Sequence, residues 1–225
     1  PQQPKISAAS AFQQVRQYRN LDMMAARLSW FFKRYRFTNV AEHLGLSGEE
    51  RHVIETAAPM HDIGKIGIPD NILLKPGKLD SGELDIMRAH ARIGYEILRD
   101  SPSKYLQMGA VIAHGHHEKF DGSGYPDGLA GEAIPLPARI VGLCDAFDSL
   151  VHNRPWRPGW RTEDALGHLV RESGRQFDPK LVEQFIPIVR RTYAKHADVD
   201  AYLAQSAQQT PLWTMRRSLV ERLMR

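Results

Sequence analysis

Apolar residues recur along this chain at intervals of three and four, the spacing of one helical face, from about residue 11 nearly to the C-terminus. Residues 11–42 predict one or two helices with a broad apolar set: Met23, Met24, Leu28, Trp30, Phe31 and Phe32. Ser47 with Glu50 forms a capping box, so a helix should run from there to about Ile63, weakened or kinked at Pro59. Residues 65–79, with two prolines and two glycines, predict a long loop. Asp80 with Glu83 opens the next helix, whose face is Leu84, Met87, Ala91, Gly94 and Leu98. A further helix is expected from Ser103 to His117, then a loop over 119–135. Pro137 suits the first turn of a helix carrying Ile140, Val141, Cys144, Phe147 and Leu150. Thr162 caps another, ended near Gly174; Asp178-Pro179 opens one more, and 197–225 predicts one or two helices. No repeat and no convincing alternating strand interrupts this mainly α pattern.

With 225 residues, 42% hydrophobic and 25% charged, the chain can bury a substantial core. No apolar run is long enough for a membrane span, and PQQPKISAAS lacks a signal-peptide pattern. The single cysteine, Cys144, excludes an intramolecular disulfide framework and suits a reducing compartment, so a cytoplasmic location is expected. Any metal site must use nitrogen and oxygen. The net charge of +4 is uneven: residues 1–41 hold seven Lys or Arg against one acid, Asp22. These basic residues are dispersed, which argues against duplex nucleic acid as a partner.

Candidate chemistry gathers in HGHHEKFDGSGYPDG (114–128) and MHDIGKIG (60–67). Imidazole and carboxylate are metal ligands, but a lone histidine is more often a hydrogen-bonded core residue. Adjacent His116 and His117 can share one direction only where a helix ends. His90 lies beside the apolar face of its helix. Asp145 lies in the apolar helix IVGLCDAFDSL, where an unpaired carboxylate is costly; a metal or an Arg such as Arg139 or Arg154 would offset that cost. Lys65, one turn after His61 and Asp62, reads by itself as a solvated helix-end lysine.

These motifs together resemble the HD-GYP domain, a branch of the HD metal-dependent phosphohydrolases. The matching stretches are HDIGKIGIPDNILLKPGKL (61–79), His90 in MRAHARIGYEIL, HHEKFDGSGYP (116–126), GLAGEAIPLPARIVGLCDAFDSL (128–150), NRPWRP (153–158) and FDPKLVEQF (177–185). The resemblance implies an all-α HD-domain helical bundle with extra N- and C-terminal helices. Its core would be 41–187, preceded by a helical segment 1–40 that can link to an upstream sensor or receiver domain, and followed by an extension 188–225. It implies metal ligands His61, Asp62, His90, His116, His117 and Asp145, with Asp62 bridging two divalent ions about 3.5–4 Å apart. Iron or manganese is expected first, with zinc, nickel or magnesium as alternatives. The implied activity is hydrolysis of cyclic di-GMP to linear pGpG, with Asp62 and Lys65 in catalytic roles. Lys65, Gly124, Tyr125, Pro126, Arg154 and Arg157 would contact the substrate, and His114 would be a bystander. The usual Tyr-Lys is here Trp156-Arg157, and Trp156 reads equally as a core aromatic.

The match departs from the family pattern upstream. Active members usually carry a further histidine, often with a glutamate, at a position falling near Ser29. Here no histidine precedes His43 and no glutamate precedes Glu42. A third metal is therefore not expected, and the ion at His61 and Asp145 loses a ligand. Two alternatives to the cyclic di-GMP phosphodiesterase stay open: a weak or inactive module that binds the nucleotide or a partner protein, and a phosphodiesterase for another cyclic dinucleotide such as cyclic GMP-AMP. The N-terminal helix and the tail WTMRRSLVERLMR are candidates for a homodimer contact, with packing on the domain itself as the alternative.

Overall fold

The computed structural model describes residues 45–153 and 157–195, and the predicted N-terminal and tail helices lie outside them. The described residues are helical, with two isolated β-bridges and no strand. Helix α1 (Gly48–Ala57) starts at the expected capping box: Ser47 Oγ accepts from the Glu50 amide, and the Glu50 carboxylate accepts from the Ser47 amide. It stops at Ala57 rather than Ile63. Pro59, which has no N–H to donate, falls in a 3₁₀ turn over Ala58–Met60. A second 3₁₀ turn, Ile63–Gly67, follows His61 and Asp62. The expected 65–79 loop thus begins within that turn, and it also contains a one-turn helix, α2 (Asp70–Leu73).

Asp80 and Glu83 form the second capping box and start α3 (Ser81–Arg88). The single helix expected here breaks at Ala89, and α4 (His90–Leu98) continues beyond it. The predicted apolar face is buried only on α4, at Ala91, Gly94 and Leu98; α3 buries nothing and leaves Leu84 exposed. Then come α5 (Lys104–Gly115), the loop over 119–135, and α6 (Leu136–Val151) with Pro137 in its first turn. In α7 (Thr162–Arg171), Arg161 takes the N-cap position expected for Thr162 and makes no side-chain cap bond. Helix α8 (Pro179–Lys195) has the Asp178 carboxylate accepting from the Lys180 amide, and runs unbroken across position 187. No helix among the described residues is long and apolar enough to cross a membrane.

The core lies between α5, α6, α7 and α8, where Ile112, Val141, Leu166, Leu169 and Val189 are almost wholly removed from water. Helix α5 is the central strut, packing on α1, α4 and α6. The Ile63–Gly67 turn lies directly on α4. Gly64 makes that approach feasible, since a Cβ there would sit 1.9 Å from the His90 carbonyl oxygen and 2.4 Å from the Gly94 nitrogen. Backbone, not a flexible side chain, occupies the space.

Gly64→Ala should therefore lower stability by about 1–3 kcal/mol or more, as overpacking does. Gly82→Ala, on the exposed face of α3 with only the Asp80 carboxylate 3.5 Å away, should be neutral or stabilising by about 0.4–1 kcal/mol. Thermal denaturation of the two variants checks both; equal midpoints would contradict the packing argument.

Candidate metal centre

Three segment ends converge on one carboxylate. Asp62 lies in the kink between the two 3₁₀ turns and is buried, at 4% exposure. His90 opens α4 where the α3 helix has just broken. His116 caps the C-terminus of α5, and with the helix ended there both His116 and His117 turn toward the same point, their rings 4.0 Å apart. Ligand atoms of Asp62, His90, His116 and His117 all lie within 4.8 Å of one another, a grouping that can hold a metal ion.

The two oxygens of Asp62 face different company. Oδ1 is 3.4 Å from His90 Nε2 and 3.8 Å from His116 Nε2. Oδ2 is 3.5 Å from His61 Nε2 and 2.5 Å from Lys65 Nζ. His61 Nε2 is in turn 3.8 Å from Asp145 Oδ1, on α6. Asp145 makes no pair with Arg139, whose guanidinium is bonded to Asp178 and to the Ile134 carbonyl.

The histidine tautomers follow from their partners. His61 Nδ1 lies 2.9 Å from the Ala58 carbonyl oxygen, His90 Nδ1 lies 2.7 Å from that of Met87, and His116 Nδ1 lies 3.0 Å from that of Ala113. A carbonyl can only accept, so each Nδ1 carries the proton and donates. In the neutral ring each Nε2 then offers its lone pair to the cluster, the arrangement that orients imidazole ligands around metals. His61 Nε2 is buried and has no hydrogen-bond partner, an unmet acceptor that fits a cation.

Electrostatics point the same way. Burial pushes His116 well below the ordinary histidine range, helped by His117 and His61, and it pushes His117 down to about 3. Burial also lowers His90, against the pull of Asp62. For Asp62 burial opposes ionisation, but His61, Lys65 and His116 outweigh it and hold the carboxylate below its usual range. Burial raises Asp145, with His61 acting against that shift. Neutral imidazoles around an ionised carboxylate are the protonation states a divalent cation requires.

Beside the cluster, the 119–130 loop carries Tyr125, whose ring stacks on His117 at 4.8 Å and 27°. Burial raises the Tyr125 phenol above its ordinary range. Gly124 permits the loop to close, since a Cβ there would meet the Lys119 nitrogen at 2.2 Å and Glu118 Cα at 2.5 Å. Pro126 follows through a cis peptide. The residue that holds this loop, Glu118, is absent from the sequence-based candidates. Its buried carboxylate accepts from the amides of Asp127, Gly128 and Leu129 at 2.7–3.2 Å. The only signal for it was a charged residue directly after two histidines, which sequence alone does not separate from a surface glutamate. His114 stands apart from the cluster and binds the Asp127 carboxylate at 2.7 Å.

Two expected substrate contacts differ in standing. Arg154 lies outside the described residues, together with Trp156. Arg157 is not at the cluster: its guanidinium donates to the carbonyls of Ser149, Leu150 and Pro158. The reason is local, because the last carbonyls of α6 lack intrahelical donors and a nearby guanidinium satisfies them.

Comparison with known proteins fits this geometry. The HD-domain family profile matches residues 19–181. The chain belongs to the HD-domain family, in its HD-GYP branch. It is 56% identical over 147 residues to the cyclic di-GMP phosphodiesterase response regulator RpfG of Xanthomonas campestris pv. campestris, covering 65% of this chain and 39% of that protein. It is 43% identical over 177 residues to a cyclic di-GMP phosphodiesterase of Thermotoga maritima, covering 77% and 47%. A 3'3'-cGAMP-specific phosphodiesterase of Vibrio cholerae is 46% identical over 144 residues, covering 64% and 28%. The chain thus spans less than half the length of these relatives. A crystal structure of a cyclic GMP-AMP specific phosphodiesterase from V. cholerae shares the fold, with TM-score 0.53 at 21% identity over 87% of this chain and 50% of that one.

The buried histidines make the metal-free protein acid-sensitive. Their folded values lie below the ordinary 6.5, so the unfolded chain takes up protons that the folded chain refuses. Stability should fall as pH drops from about 6.5 toward 3, by up to about 1.4 kcal/mol per unit for each histidine kept neutral. Asp62 adds a loss of the same sign below about pH 4, where its unfolded form protonates. Denaturant melts of chelator-treated protein across this range test it; a flat profile from 6.5 to 4 would contradict the burial argument.

Proposed function

We propose that this chain is the catalytic part of a metal-dependent phosphodiesterase that opens cyclic di-GMP to linear pGpG. The observation that carries the reading is the shared carboxylate: Asp62 turns one oxygen to His90 and His116 and the other to His61 and Lys65. His90, His116 and His117 with Asp62 form one ligand set, and His61 and Asp145 with Asp62 form the other. Two divalent ions, iron or manganese first, are the cofactor of this reading; such ions neutralise a phosphodiester and acidify a water at neutral pH. A third is not expected without the upstream glutamate.

The chain's own groups do the rest. Lys65, about 30% exposed beside Asp62, adds positive charge where a phosphodiester would dock. Tyr125, held by Gly124 and Pro126 against His117, forms the wall that orients the ligand. In this reading Arg154 is the fork-shaped phosphate contact, and Arg157 braces the end of α6. The relatives' names support the substrate class, and the name of one, a response regulator, supports an upstream signalling domain. The absent upstream histidine favours a second reading, a binding module with weak or no turnover. The cGAMP-specific relatives favour a third, the same chemistry on a mixed cyclic dinucleotide.

Metal content and cyclic dinucleotide turnover, measured after anaerobic reconstitution with Fe(II) or Mn(II), decide among them. Two ions per chain with pGpG as product support the proposal. Bound but intact nucleotide supports the module, and preference for cyclic GMP-AMP supports the third reading. Asp62→Ala should strip metal and abolish turnover; unchanged activity would sink the shared-carboxylate mechanism. Arg154→Ala should raise KM more than it lowers kcat, since it removes a contact made equally in ground and transition states.

A further inference from the structure

A cavity of about 310 Å³ opens beside the cluster, sharing His117 and Asp145 with it and running inward between α6, α7 and the residues before α8. Its far wall is unlike its metal-side wall. Phe120, Leu143 and Leu150 are among its apolar lining residues, and Ser149, His168 and Gln176 among its polar ones. Of the other polar residues of this wall, Arg139 is paired with Asp178 and Glu118 holds the loop, while Lys119 also lines it. Gln176 is bonded through its backbone, where its amide donates to Glu172 and its carbonyl accepts from Phe120. Its carboxamide makes no hydrogen bond to any described residue, and neither does the Ser149 hydroxyl. The cavity therefore offers apolar contact with uncommitted donors and acceptors at one edge, adjoining the Asp62–histidine cluster.

Resting on the phosphodiesterase reading, we propose that this cavity is the purine-base subsite of the cyclic dinucleotide, with Gln176 reading the edge of the base. The chemistry of the pair is specific. A purine is flat and apolar on both faces and carries hydrogen-bonding groups only around its rim. A carboxamide presents one acceptor and one two-proton donor side by side, so it can form a paired contact with that rim. Because the amide can turn over, Gln176 accommodates guanine, with its two N–H donors and carbonyl, and adenine, with its amino group and ring nitrogen. A carboxylate at the same place would accept from guanine's two donors but find only one donor on adenine.

The test compares wild type, Gln176→Ala and Gln176→Glu on three metal-loaded reactions: cyclic di-GMP, cyclic GMP-AMP and bis(4-nitrophenyl) phosphate. The last is a phosphodiester with no base. Gln176→Ala should raise KM for the dinucleotides about tenfold, the cost of one lost paired contact, and leave the base-free ester unchanged. Gln176→Glu should shift the KM ratio toward cyclic di-GMP by about twofold, since cyclic GMP-AMP can then present a matching base in only one of its two orientations. Taking the ratio cancels any general repulsion between the new carboxylate and phosphate. Unchanged dinucleotide KM in both variants, with normal hydrolysis of the base-free ester, overturns the subsite and leaves the phosphodiesterase reading standing. If no ester is cleaved, that reading fails instead, and calorimetry with cyclic di-GMP then decides the subsite: weaker binding by Gln176→Ala supports it, and equal binding or none overturns it.

Discussion

The buried Asp62 carboxylate is the constraint around which this molecule is arranged. A carboxylate taken out of water is costly unless charge and hydrogen bonds replace the lost solvent. Here Lys65 supplies positive charge, and imidazoles delivered by three separate stretches of chain turn lone pairs toward the same carboxylate, an arrangement that a cation between them would complete. Each delivery uses the same local device. His61, His90 and His116 each stand just past a helical turn and bond back to a carbonyl three residues earlier. Helix ends have carbonyls to spare, and these fix the rings without spending the nitrogen that faces Asp62. The interruptions in the helices are thus part of the centre's construction.

This also explains what could and could not be read from the sequence. The helices announced themselves through periodicity and through the boxes at Ser47 and Asp80, because caps are short-range and chemically distinctive. The all-α class and the assembly of the histidines were legible for the same reason, the latter through the family motifs. The break at Ala89 was not, since neither proline nor glycine marks it. It coincides with a tertiary contact, where the Ile63–Gly67 turn packs onto the start of α4. The bonds of Arg157 to the end of α6 were not legible, because a sequence shows a cation but not the helix end that engages it. Glu118 was missed because its partners are main-chain amides, which leave no pattern in side-chain identity.

The two sides of Asp62 are built unequally. The Oδ1 side meets His90 and His116, both buried and both oriented by helix carbonyls. The Oδ2 side has His61, with its unpartnered Nε2, a partly exposed lysine, and Asp145 at the edge of the cavity. Residues 1–41 contain neither histidine nor glutamate. On the two-ion reading proposed above, unequal sides make the two positions differ in affinity.

The Glu118 clamp has a consequence for how such a chain can change over generations. Its three bonds fall on backbone N–H groups, which nearly every amino acid possesses. At Leu129, any replacement other than proline keeps its bond. The loop that presents Tyr125 is therefore insulated from drift in part of its own sequence, and its contour can be inherited while its surface chemistry is rewritten.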